Sequence, residues 1–366
     1  MAIDTPYRAI FCDLITDQTL DILPLRDVSF DDYIGKAGSL SGTVPIPNKE
    51  IAERVKAVRE GRTAIYLERG GDLWWGGIVW TTTLQSSGRG VLTLGIQAAT
   101  FDSYAGRRRI RTEIAYTNTE QFDIARRLWT EMTRDRSAFQ VAFEPVPPSE
   151  VTRTVGWRNG DETVYQEALE QLASPNDGIE YQVMVFRDPE TGERIRQVRL
   201  GSPRIRTGAT DLLFDRPGAI LSYTFPNDAT RGGTTAVARG ASTNSNAAAE
   251  SRPLASLEQE ASDLLTDGWP RIDLSSDHNE VSDQLVLNSL AKAELDAARG
   301  AVVIPEISIH LGGIVPPVLL GRVARIRITD EWFSQGLDAR YRIVGVKITP
   351  PERGRPDTAE LYLEEA

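Results

Sequence analysis

The stretch 70-GGDLWWGGIVWTTTLQSSGRGVLTLGIQA-98 sets two adjacent tryptophans between two glycine pairs, then runs into two strand-like segments joined by Ser-Ser-Gly-Arg-Gly. Successive side chains on a strand leave opposite faces, so Trp74 and Trp75 do not form one stacking platform for a sugar or a base. A barrel corner suits them better. One indole fills the interior, the other covers an outer face or a partner, and Gly76-Gly77 permits a bulge or sharp bend. Just upstream, Thr63, Ile65 and Leu67 alternate with Ala64, Tyr66 and Glu68, which predicts a strand. Arg69-Gly70-Gly71-Asp72 predicts the hairpin turn, because glycine supplies positive φ.

Working outward, residues 7-YRAIFCDLI-15, 20-LDILPL-25 and 28-VSFDDYI-34 are short runs with period-two apolar placement, each followed by a turn signal. Asn48 is placed to N-cap a short helix through Ile51, Val55 and Val58 that Gly61 ends. From residue 106 the period changes. Thr117 and Glu120 read as a capping box, followed by an apolar stripe of Phe122, Ala125, Leu128, Trp129 and Met132. A second helix over 161–174 carries Val164, Ala168, Leu169 and Leu172 and stops at Ser174-Pro175. A hairpin follows around Asp188–Gly192, with Arg194, Arg196 and Arg199 expected on its solvent face.

Strands return near residue 208, at 219-AILSYTF-225, 234-TTAVARGAS-242, 307-ISIHLGG-313, 322-RVARIRITD-330, 339-ARYRIVGVKITP-350 and 358-TAELYLEE-365. They are interrupted by the low-complexity 242-STNSNAAAESRP-253, expected to be a mobile loop, and by a helix over 281–299 ended by Gly300. The wide spacing of Leu285, Leu290 and Leu295 predicts packing on its own domain rather than a coiled coil. Gly77-Ile78-Val79-Trp80-Thr81, a Gly88-Arg89 turn and Leu92-Thr93-Leu94 are echoed by Gly345-Val346-Lys347-Ile348-Thr349, Gly354-Arg355 and Leu361-Tyr362-Leu363. Two barrels of similar plan would produce that echo.

The 366 residues, 40% hydrophobic and 25% charged, describe a globular protein of two or three domains. No apolar run approaches the roughly 18–20 residues of a membrane span, and the N-terminus lacks the basic start and apolar middle of a signal peptide, so synthesis in the cytosol is expected. The single cysteine, Cys12, sits in a strand-like run and reads as a small buried hydrophobe. Only two histidines, His278 and His310, are present, which removes His-rich and Cys-based zinc sites and leaves little for a Ser-His-Asp triad. A net charge of -11 argues against sequence-independent DNA binding.

Few residues suggest chemistry. Asp273, Asp277, His278, Glu280 and Asp283 offer oxygen ligands, but without the glycine and carboxylate spacing of an EF-hand loop they read as turn and helix-entry residues. Arg107, Arg108, Arg109 and Arg111 are the sharpest basic cluster in an acidic chain, and a carboxylate-bearing protein neighbour or a domain junction is preferred over phosphate. No phosphate-loop, dinucleotide, nucleophile-elbow or HExxH pattern occurs. Catalytic, cofactor and metal residues are therefore expected to be none.

The order of 27-DVSFDDYIGKAGSLSGTVPIPN-48, 65-IYLERGGDLWWGGIVW-80, 92-LTLGIQAATFDSYAGRRRI-110, 339-ARYRIVGVKITP-350 and 358-TAELYLEE-365 resembles the baseplate hub, or hub-type minor tail, proteins of long-tailed bacteriophages, above all those infecting actinobacteria. The resemblance implies an α+β, mostly β chain. It divides into a first tube-type β-barrel domain (1–105), a small α+β domain (106–207), a second tube-type barrel (208–241 and 301–366) and a loop-plus-helix insertion (242–300). It further implies a homotrimer whose six barrels join a six-fold tail tube to a three-fold tip in the virion. The implied neighbours are a distal tail protein or tail tube ring, the tape-measure protein, and tip, fibre or receptor-binding proteins. DNA passes through the ring without specific binding, and no membrane insertion by this chain is implied. The family pattern carries no catalytic residue onto this sequence. Some relatives bear a C-terminal spike or hydrolase, whereas Ala366 follows directly on the last strand, so lytic activity is expected elsewhere. The alternatives are a carbohydrate-active or peptidoglycan-cleaving tail enzyme and a receptor-binding adhesin.

Overall fold

A computed structural model describes residues 7–134, 138–175, 177–242, 252–279, 281–299, 302–303, 305–351 and 357–365. The chain forms two compact units, one of Met1–Glu170, Ile179–Tyr223 and Glu306–Ala366, the other of Gln171–Gly178 and Thr224–Pro305. With 46% strand and 18% helix, the α+β, mostly β class is plain.

The first strands are β1 (Arg8–Asp13), β2 (Thr19–Leu23), β3 (Arg26–Tyr33) and β4 (Ser39–Ile46). After helix α1 (Lys49–Val55) come β5 (Thr63–Arg69), β6 (Asp72–Ser86) and β7 (Leu92–Thr100). Asn48 caps α1 as its sequence predicts, its side chain accepting from the Ile51 N–H at 2.9 Å. The helix ends at Val55, earlier than the Gly61 boundary expected. Gly70 and Gly71, at φ +65° and +101°, make the two-residue turn between Arg69 and Asp72. The expected alternation on β5 is absent, because Thr63 to Glu68 are all buried. Both faces of that strand are covered, which is the pattern of a central strand rather than a half-solvated one.

The middle of the chain adds β8 (Ile114–Glu120), α2 (Gln121–Met132), β9 (Ala142–Phe143), β10 (Thr152–Trp157), α3 (Tyr165–Ala173), β11 (Glu180–Arg187) and β12 (Arg194–Gly201). The stripe Phe122, Ala125, Leu128, Trp129 and Met132 is buried as its spacing requires. The capping box is not formed. Pairing with β10 keeps Thr117 and Glu120 in β8, and Glu120 itself becomes the N-cap, accepting from the Asp123 N–H at 3.0 Å. Strand β11 then packs across β6, so the middle segment supplies the second cover of the sheet.

Next come β13 (Leu212–Arg216), β14 (Ile220–Thr224), β15 (Asn227–Asp228), β16 (Thr235–Ser242), β17 (Pro253–Ala255), β18 (Gln259–Glu260), α4 (Ser262–Thr266), β19 (Asp273–Asp277), α5 (Gln284–Ala297) and β20 (Val302–Val303). The chain closes with β21 (Glu306–His310), β22 (Val323–Ile328), β23 (Leu337–Thr349) and β24 (Thr358–Glu365). One 13-stranded sheet runs β14-β21-β24-β23-β3-β4-β7-β6-β5-β1-β2, with β22 also on β23 and β13 on β22. Its N- and C-terminal strands meet where Gly345, Val346, Lys347 and Ile348 of β23 pair with Tyr33, Asp32, Asp31 and Phe30 of β3. The echoed hairpins are β6–β7 and β23–β24; the echo's Gly354-Arg355 lies outside the described residues.

The second unit has its own sheet, with β17 and β18 antiparallel and β19 parallel to β16. Segment 234–242, grouped with the second barrel by its sequence, therefore pairs in this smaller sheet instead. Its inward residues explain the choice. Ala236 and Ala238 are small enough to admit α5, whose Leu287, Leu290 and Ala291 pack on Ala238, while Leu295 packs with Ala236 and Ala261. Leu285 faces solvent. The low-complexity stretch at 243–251 and the expected helix terminator Gly300 lie outside the described residues.

Glycine at position 77 is a packing requirement: a Cβ there would run into the Ala99 carbonyl and the Trp75 ring, while one at Gly88 meets nothing within 4 Å. Gly77→Ala is expected to lower unfolding free energy by about 1–3 kcal/mol, as overpacking does, and Gly88→Ala by no more than about 0.5 kcal/mol. Urea denaturation of the pair checks this, and equal midpoints would contradict it.

Candidate functional site

The tryptophan stretch is built around two bulges. Against β5, Leu67 faces Trp75 and Glu68 faces Leu73, so Trp74 is the extra residue. Against β7, Ala98 faces Val79 and Gln97 faces Thr81, so Trp80 is the extra one. The bulges thus flank Gly76-Gly77 instead of falling on it; Gly76 is glycine because a Cβ would come within 2.8 Å of the Tyr66 ring and 3.0 Å of Val185. Trp74 (4% exposed) meets Tyr7 edge-on at 5.2 Å, with Arg69 over its ring at 5.1 Å. Trp75 (2% exposed) donates its indole N–H to the Asp31 carbonyl at 2.9 Å, and Trp80 donates to Ser103 Oγ at 2.9 Å. These rings are occupied by their own chain and offer no open stacking face.

Buried ion pairs hold the middle segment to the sheet. Glu68 of β5 is buried and accepts from Arg187 of β11 (Nε–Oε2, 2.9 Å) and from Arg8 of β1. Burial alone would raise the Glu68 carboxyl, but the Arg187 and Arg8 hydrogen bonds hold it below the ordinary glutamate range. Asp17, between β1 and β2, takes Arg194 at 2.7 Å and Arg196 at 2.6 Å and accepts from Tyr66 Oη at 2.8 Å. Arg196 also donates to Tyr66 Oη and the Leu14 carbonyl, and stacks over Phe101 at 4.6 Å. Arg199 leaves the other face of β12 to reach Glu144 at 3.0 Å. The solvent-face reading of Arg194, Arg196 and Arg199 is therefore corrected: alternation put charge on the hairpin, and carboxylates of neighbouring segments drew it inward. Arg342 of β23, 2% exposed, binds Glu180 of β11 in a fork, with Glu364 at 2.7 Å and the Ile205 carbonyl at 2.8 Å.

The basic cluster follows the helical turn after β7. Arg109 and Arg111 converge on Glu162, the latter at 2.6 Å, so the expected carboxylate is supplied within the chain for these two. Arg107 lies exposed over the Trp80 ring at 5.4 Å, and Arg108 over Tyr104 at 5.9 Å. Two further carboxyls are enclosed: buried Asp102 accepts from Thr100 Oγ1, and half-buried Asp32 accepts from Gln182 Nε2 at 3.2 Å. Burial, with Asp102 nearby, pushes Asp32 up to about 8, and burial pushes Asp102 up to about 6.

The residues weighed as metal ligands have other uses. Asp283 caps α5, accepting from the Leu285 and Val286 N–H groups at 2.7 and 3.1 Å. Asp277 pairs with Arg239, Asp273 with Arg271 and Thr235, and His278 meets Ser276 Oγ at 3.2 Å; Glu280 lies outside the described residues. His310 sits in β21, paired with Thr358. Among the described residues no group of three His, Cys, Asp or Glu is placed to hold a metal. Trp332, unremarked in the sequence reading, is 83% exposed on the loop between β22 and β23. That loop is fixed by Asp330, whose carboxylate accepts from the Trp332 and Phe333 N–H groups at 3.0 and 2.9 Å and from Tyr223 Oη at 2.5 Å. The D-x-W-F order is the signal that would have found it.

No family model and no curated protein matches this sequence. Solved structures do match in fold. A tail protein from Neisseria meningitidis MC58 superposes with a TM-score of 0.62 at 14% identity, covering 98% of this chain and 96% of that one. The 43 kDa tail protein of prophage MuSo2 from Shewanella oneidensis gives 0.63 at 11% identity, covering 98% of both. A type VI secretion component of E. coli, described as structurally similar to T4 tail proteins gp27 and gp5, gives 0.52 at 10% identity over 94% of this chain and 74% of that one. The fold is thus that of phage-type tail proteins along nearly the whole chain. In fold these matches agree with the phage-tail resemblance, and they carry nothing of its actinobacterial part.

Removing the Arg342 guanidinium takes the cation from Glu180 and leaves Glu364 with the partly exposed Arg204 at 3.5 Å. Arg342→Met is expected to cost about 3–5 kcal/mol, and Arg342→Lys to recover only part, since an ammonium cannot reproduce the fork. Thermal and urea denaturation of both variants measures this, and a wild-type stability in either would contradict the role given to Arg342.

Proposed function

We propose that this chain is a structural subunit of a phage-type tail tip: a homotrimeric baseplate hub joining a six-fold tail tube to a three-fold tip and framing the channel for tape-measure protein and DNA. The observation that carries the reading is the fold shared with tail proteins of N. meningitidis and prophage MuSo2 from end to end, not over one module. In this reading the strands of 1–105 and, from the later segments, those that join the large sheet (β13, β14 and β21–β24) furnish two tube-type barrels, each built on one of the echoed hairpins, β6–β7 and β23–β24. Six such barrels in three chains would match a six-fold tube. The 106–207 segment buttresses them from outside through the Glu68, Asp17 and Glu180 ion pairs. The acidic net charge suits a passage along which DNA slides without adhering.

The role is architectural rather than enzymatic. The aromatic rings that a carbohydrate enzyme would need at its surface, Trp74 and Trp75, are packed inside. Arg107, exposed over the Trp80 ring, is the proposed contact for an acidic neighbour, either the next copy or a distal tail or tube protein. Fixed Trp332 is a further anchor on the same grounds of exposure.

Native mass spectrometry or mass photometry of the purified chain is expected to show a trimer, or a ring formed with a tail-tube partner. A strictly monomeric particle at high concentration would contradict the hub reading.

A further inference from the structure

Asp32 of β3 has two hydrogen-bond donors on its carboxylate: the Tyr33 N–H at 2.9 Å on Oδ1 and Gln182 Nε2 at 3.2 Å on Oδ2. Gln182 of β11 is 1% exposed, and its Oε1 has no hydrogen-bond partner among the described residues. A buried amide oxygen without a donor is uncommon and asks for an explanation. A carboxylic acid and a primary amide are complementary, each offering one donor and one acceptor side by side. With a proton on Oδ1, Asp32 gains the donor that Gln182 Oε1 lacks, and the two side chains can close a ring of two hydrogen bonds. Without that proton, Gln182 Oε1 is left unsatisfied beside a half-buried negative charge.

The surroundings favour the proton. On the same strand are the Asp31 carboxylate, bound to Ser39, and Tyr33; from the turn after β7 comes buried Asp102, and from β11 comes buried Tyr181. The cations on neighbouring segments are engaged elsewhere. Lys347 of β23 binds Glu360 of β24 at 3.0 Å, and Lys36 sits over the Tyr33 ring, which itself meets Tyr362 of β24. No cation hydrogen-bonds to Asp32 among the described residues. The same junction holds a backbone hydrogen bond, Gly35 N–H to the Tyr181 carbonyl at 2.8 Å, so loosening the side-chain pair bears directly on how β11 sits against the sheet.

We propose that Asp32 and Gln182 form a proton-dependent latch between the large sheet and the β11–β12 hairpin, closed while Asp32 is protonated and loosened when it ionises. The sign follows from linkage. A carboxyl that holds its proton more tightly folded than unfolded favours the folded contact at low pH, and that advantage is lost as pH rises from the ordinary aspartate range through the raised value. The inference rests on these groups alone and is independent of the tail role.

Hydrogen–deuterium exchange on the full chain, corrected for intrinsic rates, tests it on peptides covering 26–38 and 179–187 from pH 6 to 9.5. Wild-type protection is expected to fall about ten-fold per pH unit from pH 6 to near pH 8, as loss of one proton requires, and to level off above that. Asp32→Asn, neutral throughout, is expected to give a flat profile. Asp102→Asn, which removes the neighbouring charge, is expected to move the levelling-off to lower pH. A flat wild-type profile, or the same fall in Asp32→Asn, overturns the proposal. Recovery of wild-type protection at pH 9 on adding calcium or magnesium chloride overturns it too, in favour of a cation site. Where Asp32→Asn fails to fold, wild type against Asp102→Asn decides: an unmoved levelling-off overturns the latch.

Discussion

Charge burial across the second face of the large sheet is the constraint on which the rest of this structure depends. Strand β5 lies between β1 and β6 with both faces covered, and Glu68 is carried inward with it. A carboxylate in that position is tolerable only with cations and hydrogen bonds arranged around it. Arg187 from the middle segment and Arg8 from β1 provide them. The same logic repeats at Asp17 with Arg194 and Arg196, and at Glu180 with Arg342. Each tie joins segments far apart in the chain. A hairpin that displaced itself would leave several charges unpaired at once, so the arrangement resists partial displacement more than hydrophobic contact alone would.

Local structure was legible in the sequence wherever a single residue's chemistry decides it. Asn48 caps α1, Asp283 caps α5, Gly70-Gly71 makes the β5–β6 turn, and the Phe122–Met132 stripe is the buried face of α2. Long-range pairing was not. The partner that keeps Thr117 in a strand is β10, more than thirty residues away, and no capping rule carries that information. The bulges at Trp74 and Trp80 arise from register against two different neighbours, whereas the glycine pair between them advertised a bend that close packing explains instead. Arg194 and Arg196 looked solvated because alternation says which residues share a face and is silent on whether another segment covers it. Trp332 was passed over because one exposed tryptophan has no periodicity.

The fused sheet joins strands from both ends of the chain through β3 and β23, so each half is braced by the other. The smaller unit keeps its own alanine-lined core under α5. The fold match to tail proteins extends over both, at identities of 11–14%. At that distance shared side chains are few, and what is shared is the fold.

The most direct test is a double-mutant cycle on Glu68 and Arg187, using Glu68→Gln, Arg187→Met and the double variant, with unfolding free energies from urea denaturation. The account predicts a coupling energy of about 2 kcal/mol or more, with the double variant more stable than the two single losses would sum to. Losses that add to within about 0.5 kcal/mol would show that the pair is not coupled, and would contradict the claim that buried charge fastens the middle segment to the sheet.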